Sequence, residues 1–294
     1  MASLKDIRKR IQSVKSTRQI TRAMKMVAAA KLKRSQDAIL NARPYAYRIY
    51  SILLSLLRQE KIAHPLLVVR EEKKIRVVVL AGDRGLCGSF NANIFKETQR
   101  FIARKEAEGS EVSLACIGKK SYDFFRKKRN VVNYYEGILG KATYNKASAI
   151  ADEIINEFLK ENLDAIYLIY NEFKSAIQVR VAVERLIPIS TEVPPGVVGI
   201  WKRHDKAGLS NHIFEPERQK LLDEIIPRHF NIQFFRAVLE SIASEHGSRM
   251  SAMENATKNA SEMIDSLTLD YNKARQASIT KELMEIVSGV ESMK

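Results

Sequence analysis

Proline is absent after Pro227, and from there on glycine occurs only at Gly247 and Gly289. Without turn formers, the stretch from Arg228 to Lys294 is excluded from loop-rich or hairpin structure and reads as continuous helix. Acid is nearly absent at the other end: residues 1–34 hold eleven Lys and Arg against Asp6 alone, so ten of the +15 net charges sit there. Aromatics are missing from residues 1–44, which weakens a nucleic-acid reading of that basic segment. Only two cysteines occur, Cys87 and Cys116, and the histidines (His64, His204, His212, His229, His246) are scattered. That spacing matches no zinc pattern and fits a reducing compartment, so no metal or other cofactor is expected. No apolar run approaches the ~18 residues of a spanning helix, and Ile49–Leu57 and Ile75–Ala81 are the longest. The start has no apolar central block of a signal peptide, so a cytoplasmic protein is expected. Internal repeats and low-complexity tracts are also missing.

What is present is periodicity. Ile232, Phe235, Leu239, Ile242, His246, Arg249, Met253, Ala256, Ala260, Met263 and Leu267 recur at spacings of three and four, a heptad seam. At ~1.5 Å per residue that helix is roughly 100 Å long, too long to bury its stripe in a compact core. Its natural cover is the first segment, Leu4 to Leu57. There Leu4, Ile7, Ile11 and Val14 open a seam that turns small and polar through Thr17, Thr21 and Ala28. It recovers at Leu32, Ile39, Ile49 and Leu53. Pro44 predicts a kink. Small residues on the last segment (Ala243, Ser244, Gly247, Ser248, Ala252) allow a close antiparallel approach.

Between the two lie β-branched runs at Ile75–Ala81, Glu111–Ile117, Leu163–Tyr170 and Gln178–Ile189, with a short one at Val131–Tyr135. Helical patterns at 91–107, 119–127 and 146–160 alternate with them, the signature of a mainly parallel sheet. The segment from Pro188 to Leu209 reads as a loop or linker. The expected fold is therefore a long antiparallel two-helix coiled coil with an inserted Rossmann-like α/β domain. The expected divisions are 1–60, 70–210 and 211–294.

Candidate chemistry is thin. The loop Gly82–Ser89 (GDRGLCGS) follows a strand and precedes a helix, where phosphate-binding turns sit. It lacks the Lys-Ser/Thr ending of a P-loop and the G-x-G-x-x-G spacing, and Lys119 and Lys120 stand where a ribose-binding acid belongs. It reads better as a tight turn using glycines for unusual backbone angles, with Asp83 and Arg84 paired to hold it. His246 reads as a packed or partner-facing histidine, and Met24, Met26, Met250 and Met253 as adaptable packing. No nucleophile, paired-carboxylate or metal-ligand arrangement emerges. Three classes remain: a nucleic-acid binder, a scaffold coiled coil, and a connecting subunit whose hairpin inserts into a larger assembly.

Three motifs favour the last class. Ile20–Lys31 (ITRAMKMVAAAK), Gly82–Gly88 (GDRGLCG) and Tyr271–Gly289 (YNKARQASITKELMEIVSG) resemble, in order, segments of the gamma subunit of F-type ATP synthases. Val290 departs from the usual alanine, and the closely spaced dithiol of plastid members is missing, so the resemblance is to a bacterial-type subunit. It implies a central shaft, not catalytic itself, that couples proton-driven rotation of a membrane c-ring to the catalytic beta subunits. Implied partners are alpha and beta subunits as a three-plus-three hexamer, epsilon and the c-ring. The implied place is the cytoplasmic face of the bacterial inner membrane, peripherally bound. By match to the family, Met24, Lys25 and Arg249 fall where the shaft meets the acidic beta levers, and Gln276, Thr280 and Glu282 in the upper bearing set. Beyond Tyr271 the heptad is expected to falter and the helix to leave its partner. A paralogous coiled-coil connector of the same shape, without the motor, is the alternative.

Overall fold

The computed structural model describes residues 4–59, 64–140, 142–160, 163–175, 179–189 and 218–291. The chain divides into two compact units, Ala29–Arg249, and Met1–Ala28 with Met250–Lys294. Two long helices, α1 (Leu4–Gln59) and α5 (Arg218–Glu291), contribute to both.

The larger unit is built on a five-stranded sheet. Its elements are β1 (Lys74–Leu80), α2 (Phe90–Ala107), β2 (Glu111–Ile117), α3 (Lys119–Phe125), β3 (Val131–Tyr135), α4 (Tyr144–Lys160), β4 (Ala165–Phe173) and β5 (Val179–Ile187). The order across the sheet is β3-β2-β1-β4-β5, with β1 to β4 parallel and β5 antiparallel to β4. Strands buried on both faces explain the apolar run of β1, broken only by Arg76; its residues from Ile75 onward are all buried. Phe90, Ile94 and Phe101 of α2, and Ile154 and Phe158 of α4, complete the core with Leu53 and Leu56 of α1 and Phe230, Phe234 and Val238 of α5. Of the segment expected to be a loop, Pro188–Leu209, all but Pro188 and Ile189 lies outside the described residues.

The last helix opens at Arg218 and carries Pro227 inside, so it extends upstream of the proline-free stretch from Arg228 and falls within the expected division 211–294. A proline interior to a helix forfeits one ladder bond. Here buried Leu222, Ile226 and Phe230, one turn apart, press the same face into the core and hold the helix through that gap. Pro44 likewise sits within α1 without ending it. Ala46 and Ile49 just beyond it pack on Ile232.

In the smaller unit α1 and α5 run antiparallel. Thr257 Oγ1 donates to Thr21 Oγ1 at 2.8 Å, and Lys25 Nζ donates to Glu254 Oε1 at 2.6 Å. On α1 the covered positions are Leu4, Ile7, Ile11, Val14, Arg18, Thr21, Met24, Lys25 and Ala28, so Arg18 takes the place expected of Thr17, which is exposed. On α5 the stripe runs through Met253, Ala256 and Thr257, Ala260, Ile264, Leu267, Tyr271, Ala274 and Ser278, with Ser251, Ala252 and Ser261 half-covered beside it. Two expectations are corrected. Ile264, 7% exposed, replaces Met263, 48% exposed, because the spacing from Ala260 is four rather than three and two adjacent apolar residues left the choice open. The heptad also does not falter at Tyr271. The register of Thr21 with Thr257 carries Leu4 to the level of Ala274, and partial cover lasts to Ser278. Beyond it every residue through Gly289 is exposed.

The corrected register is testable. Ile264→Ala should cost the coiled coil about 2–3 kcal/mol, whereas Met263→Ala should stay within about 0.5 kcal/mol. Thermal loss of helical circular dichroism in the two variants reads the difference, and equal shifts would return the seam to Met263.

Candidate functional site

The six residues marked by sequence fall into different settings. Met24 is half-buried on α1, while its neighbours Ile20, Met26 and Val27 turn large apolar surfaces outward. Lys25 is tied to Glu254 within the chain, with side chains 38% and 58% exposed. An ion pair so open to solvent contributes little and is easily exchanged for another acid. Gln276 is exposed between half-covered Ala274 and Ser278, and Thr280 and Glu282 are exposed on the uncovered end of α5. Thr280 Oγ1 donates to the Gln276 carbonyl at 3.0 Å, and Ser278 Oγ donates to Glu282 Oε1 at 3.3 Å, both ordinary one-turn contacts.

Arg249 is different. Its guanidinium donates to Glu245 Oε1 at 2.6 Å and to the Gly85 carbonyl at 3.2 Å, and lies 3.4 Å from His246 Nδ1. Both the Arg249 and Glu245 side chains are largely covered, so this arginine is engaged within its own chain. His246 is half-buried beside it. Burial, then Arg249 and Lys31, pull its pKa down to about 4, so it is neutral at physiological pH.

The loop Gly82–Ser89 is what Arg249 holds. A Cβ at Gly82 would stand 3.3 Å from the Glu245 carboxylate and from the Arg84 carbonyl, so this glycine lets α5 approach. Gly82 N–H donates to Asn91 Oδ1 at 2.9 Å, and its carbonyl accepts from Lys120 N–H at 3.2 Å. Asp83, expected to pair with Arg84, instead accepts from Lys119 N–H at 3.0 Å and Gly137 N–H at 3.4 Å. A short carboxylate beside two backbone donors gains more there than from a long exposed cation. Gly88 has φ +58 as a turn glycine should. Leu86, exposed at φ +61, is the one non-glycine with positive φ among the described residues. Cys87 is buried, and burial pushes its thiol pKa up. With Arg249 on the Gly85 carbonyl and Glu245 against Gly82, the loop acts as a docking joint for α5. Sequence reasoning missed Glu245, although Glu and Arg four apart on a helix was a readable signal.

A family model described as ATP synthase matches residues 3–293. ATP synthase gamma chains of Geobacter sp. (strain M21) and Anaeromyxobacter sp. (strain Fw109-5) are 48% and 52% identical to this chain, each over the whole of both proteins. The chain belongs to the ATP synthase gamma-chain family. Among solved structures, it is similar to a chain of the Tetrahymena thermophila mitochondrial ATP synthase central stalk and c-ring. That match has 26% identity and a TM-score of 0.60, over 81% of this chain and 99% of that one. A chain of the Euglena gracilis mitochondrial ATP synthase shares the fold at 19% identity and TM-score 0.65, over 99% and 94%. As a gamma chain, this protein is one subunit of ATP synthase, and its three motifs lie on α1, on the docked loop and on the last turns of α5, across the point where its cover ends. No helix among the described residues is long and apolar enough to cross a membrane.

Proposed function

We propose that this chain is the central rotor shaft of an F-type ATP synthase. It is non-catalytic itself and carries proton-driven rotation of a c-ring into conformational change of catalytic beta subunits. One observation carries the reading: the bare end of α5. Past Ser278, Ile279, Leu283, Met284, Ile286 and Val287 face solvent along one broad side of the helix. Apolar side chains in that number call for a sleeve supplied by other chains. In this reading the sleeve is a hexamer of alpha and beta subunits, with epsilon and the c-ring as the further partners. Gln276, Thr280 and Glu282 serve as bearing contacts, and Met24 and Lys25 meet the beta levers. Arg249 contributes by fixing the Gly82–Ser89 loop against α5. The functional parts are the helices at 1–60 and 211–294 and the α/β domain at 70–210. The bacterial relatives support a peripheral place on the cytoplasmic face of the inner membrane.

Weak, exchangeable contacts suit a shaft that must leave each lever for the next, and exposed ion pairs are of that kind. Co-expression with alpha and beta subunits tests the reading. The chain is expected to co-purify in a complex that hydrolyses ATP, and a chain left outside that complex would favour the paralogous connector. Added bulk or charge at Met24 is expected to lower the protons pumped per ATP while leaving hydrolysis largely intact. Unchanged pumping per ATP in proteoliposomes would remove Met24 from the coupling contact.

A further inference from the structure

Where α5 crosses β4 and β5, Arg236 stands among acids. Its Nη2 donates to both oxygens of Glu184 at 2.9 and 2.7 Å, and its Nε donates to Gln233 Oε1 at 2.9 Å. Its Nη1 donates to the Tyr170 hydroxyl at 3.2 Å and to Glu240 Oε1 at 3.1 Å. The Tyr170 hydroxyl in turn donates to Glu184 Oε2 at 2.9 Å. A guanidinium has five N–H groups, and all five are now committed. Glu240 Oε2 is left buried with no hydrogen-bond partner.

The charges do not balance either. Glu184 takes both Nη2 protons and by itself neutralises the one cation. Glu240, from α5, then brings a second carboxylate into a covered site, and Glu172, from β4, adds a third nearby. Glu172 stands opposite exposed Arg180 in the β4–β5 register, so it has a cation within reach on its own sheet face. Glu240 does not. A covered carboxylate whose second oxygen has no donor, and whose one cation is already claimed by another carboxylate, is disfavoured in its ionised form and takes up a proton instead.

We propose that Glu240 is a proton-binding site, carrying its hydrogen on Oε2 in the folded chain, so that the joint between α5 and the β4–β5 hairpin tightens on protonation. Burial is the main force raising the Glu240 pKa; Arg236 opposes it, and Glu172 and Glu184 reinforce it. The sign of the linkage follows. A pKa raised in the folded state means that folding takes up a proton. The stabilisation is fully present below the unfolded pKa and is lost as pH rises through the folded one.

Infrared spectra of the full-length chain, recorded as pH is raised from 5, test this. A protonated carboxylic acid has a carbonyl band separate from the carboxylate bands. A wild-type band that Glu240→Gln removes, and whose midpoint lies above the ordinary glutamate range of about 4.3, is the expected result. Glu184→Gln leaves the Arg236 charge to Glu240 and is expected to shift that midpoint downward. If Glu240→Gln does not fold, the wild-type band and its shift in Glu184→Gln carry the test. The proposal is overturned by a wild-type chain without the band above that range, or by a band that Glu184→Gln leaves in place. Urea unfolding gives a second reading: the wild-type unfolding constant should rise by up to about tenfold per pH unit in the same window, and that of Glu240→Gln should not. Parallel slopes would also overturn it.

Discussion

Gly118→Ala is expected to destabilise the α/β unit by about 3–5 kcal/mol, a large part of the stability of an ordinary domain. Gly118 links β2 to α3 at φ +92 and ψ +142, a conformation open almost only to glycine. A Cβ there would overlap the Ala81 carbonyl oxygen and lie 2.8 Å from its carbon, and these are backbone atoms of the strand end beside it. They cannot withdraw cheaply. Ala81 N–H donates to the Ile117 carbonyl and Gly118 N–H to the Tyr135 carbonyl, so β1, β2 and β3 are all fastened at this point. Gly109 is the control. It has φ +89, but a Cβ there would meet nothing, so Gly109→Ala should cost only about 1–2 kcal/mol. Urea midpoints of the two variants compare them directly. Equal losses would mean that the close approach at Ala81 carries no weight.

Arg76→Leu is expected to cost about as much, roughly 3–5 kcal/mol, for an electrostatic reason. Arg76 lies in the central strand β1 with its side chain 3% exposed. It donates to Ser113 Oγ on β2 at 2.8 Å, to Asn133 Oδ1 on β3 at 3.1 Å, and to Glu157 Oε2 on α4 at 2.6 Å. Asn133 Nδ2 completes the ring by donating to Glu157 Oε1 at 2.7 Å. Leucine in place of the arginine strands the Glu157 carboxylate at a covered position. The double variant Arg76→Leu/Glu157→Leu removes both charges and should recover most of the loss, to within about 2 kcal/mol of the parent. A double variant no more stable than Arg76→Leu alone would show that packing, not the stranded charge, sets the cost.

Elements and pairing were legible where one periodicity dominated. The strands of the α/β unit, the alternating helices and the two long outer helices all follow from runs whose apolar spacing admits one reading. The misreadings have local causes. Met263 and Ile264 are both large and apolar, and a one-residue choice between them shifts a seam without changing its average. Pro227 marks where the proline-free stretch begins, and buried Leu222, Ile226 and Phe230 carry the helix back across it. Arg76 inside an otherwise apolar strand was a visible anomaly, since a charge there needs a partner. Which partner depends on β3 and α4, far along the chain. The proposed contact residues rest on motif resemblance alone. Exposed side chains on a helix carry no periodic mark of what they touch. Arg249 shows the limit: its position on the stripe was plain, but its engagement with Gly85, 164 residues away, was not.

Thr21 and Thr257, hydrogen-bonded across the helix pair, are separated by 236 residues. At about 5–20 residues per second of synthesis, the first helix waits roughly ten to fifty seconds before its partner exists. Most of its seam there is only half covered even when paired, and small or polar residues occupy Thr21 and Ala28. A strongly apolar stripe left bare for that long would find other chains on the ribosome. The basic, sparsely greasy start of the chain thus fits the order in which the molecule is made: its two ends meet last, and the earlier one keeps to itself until then.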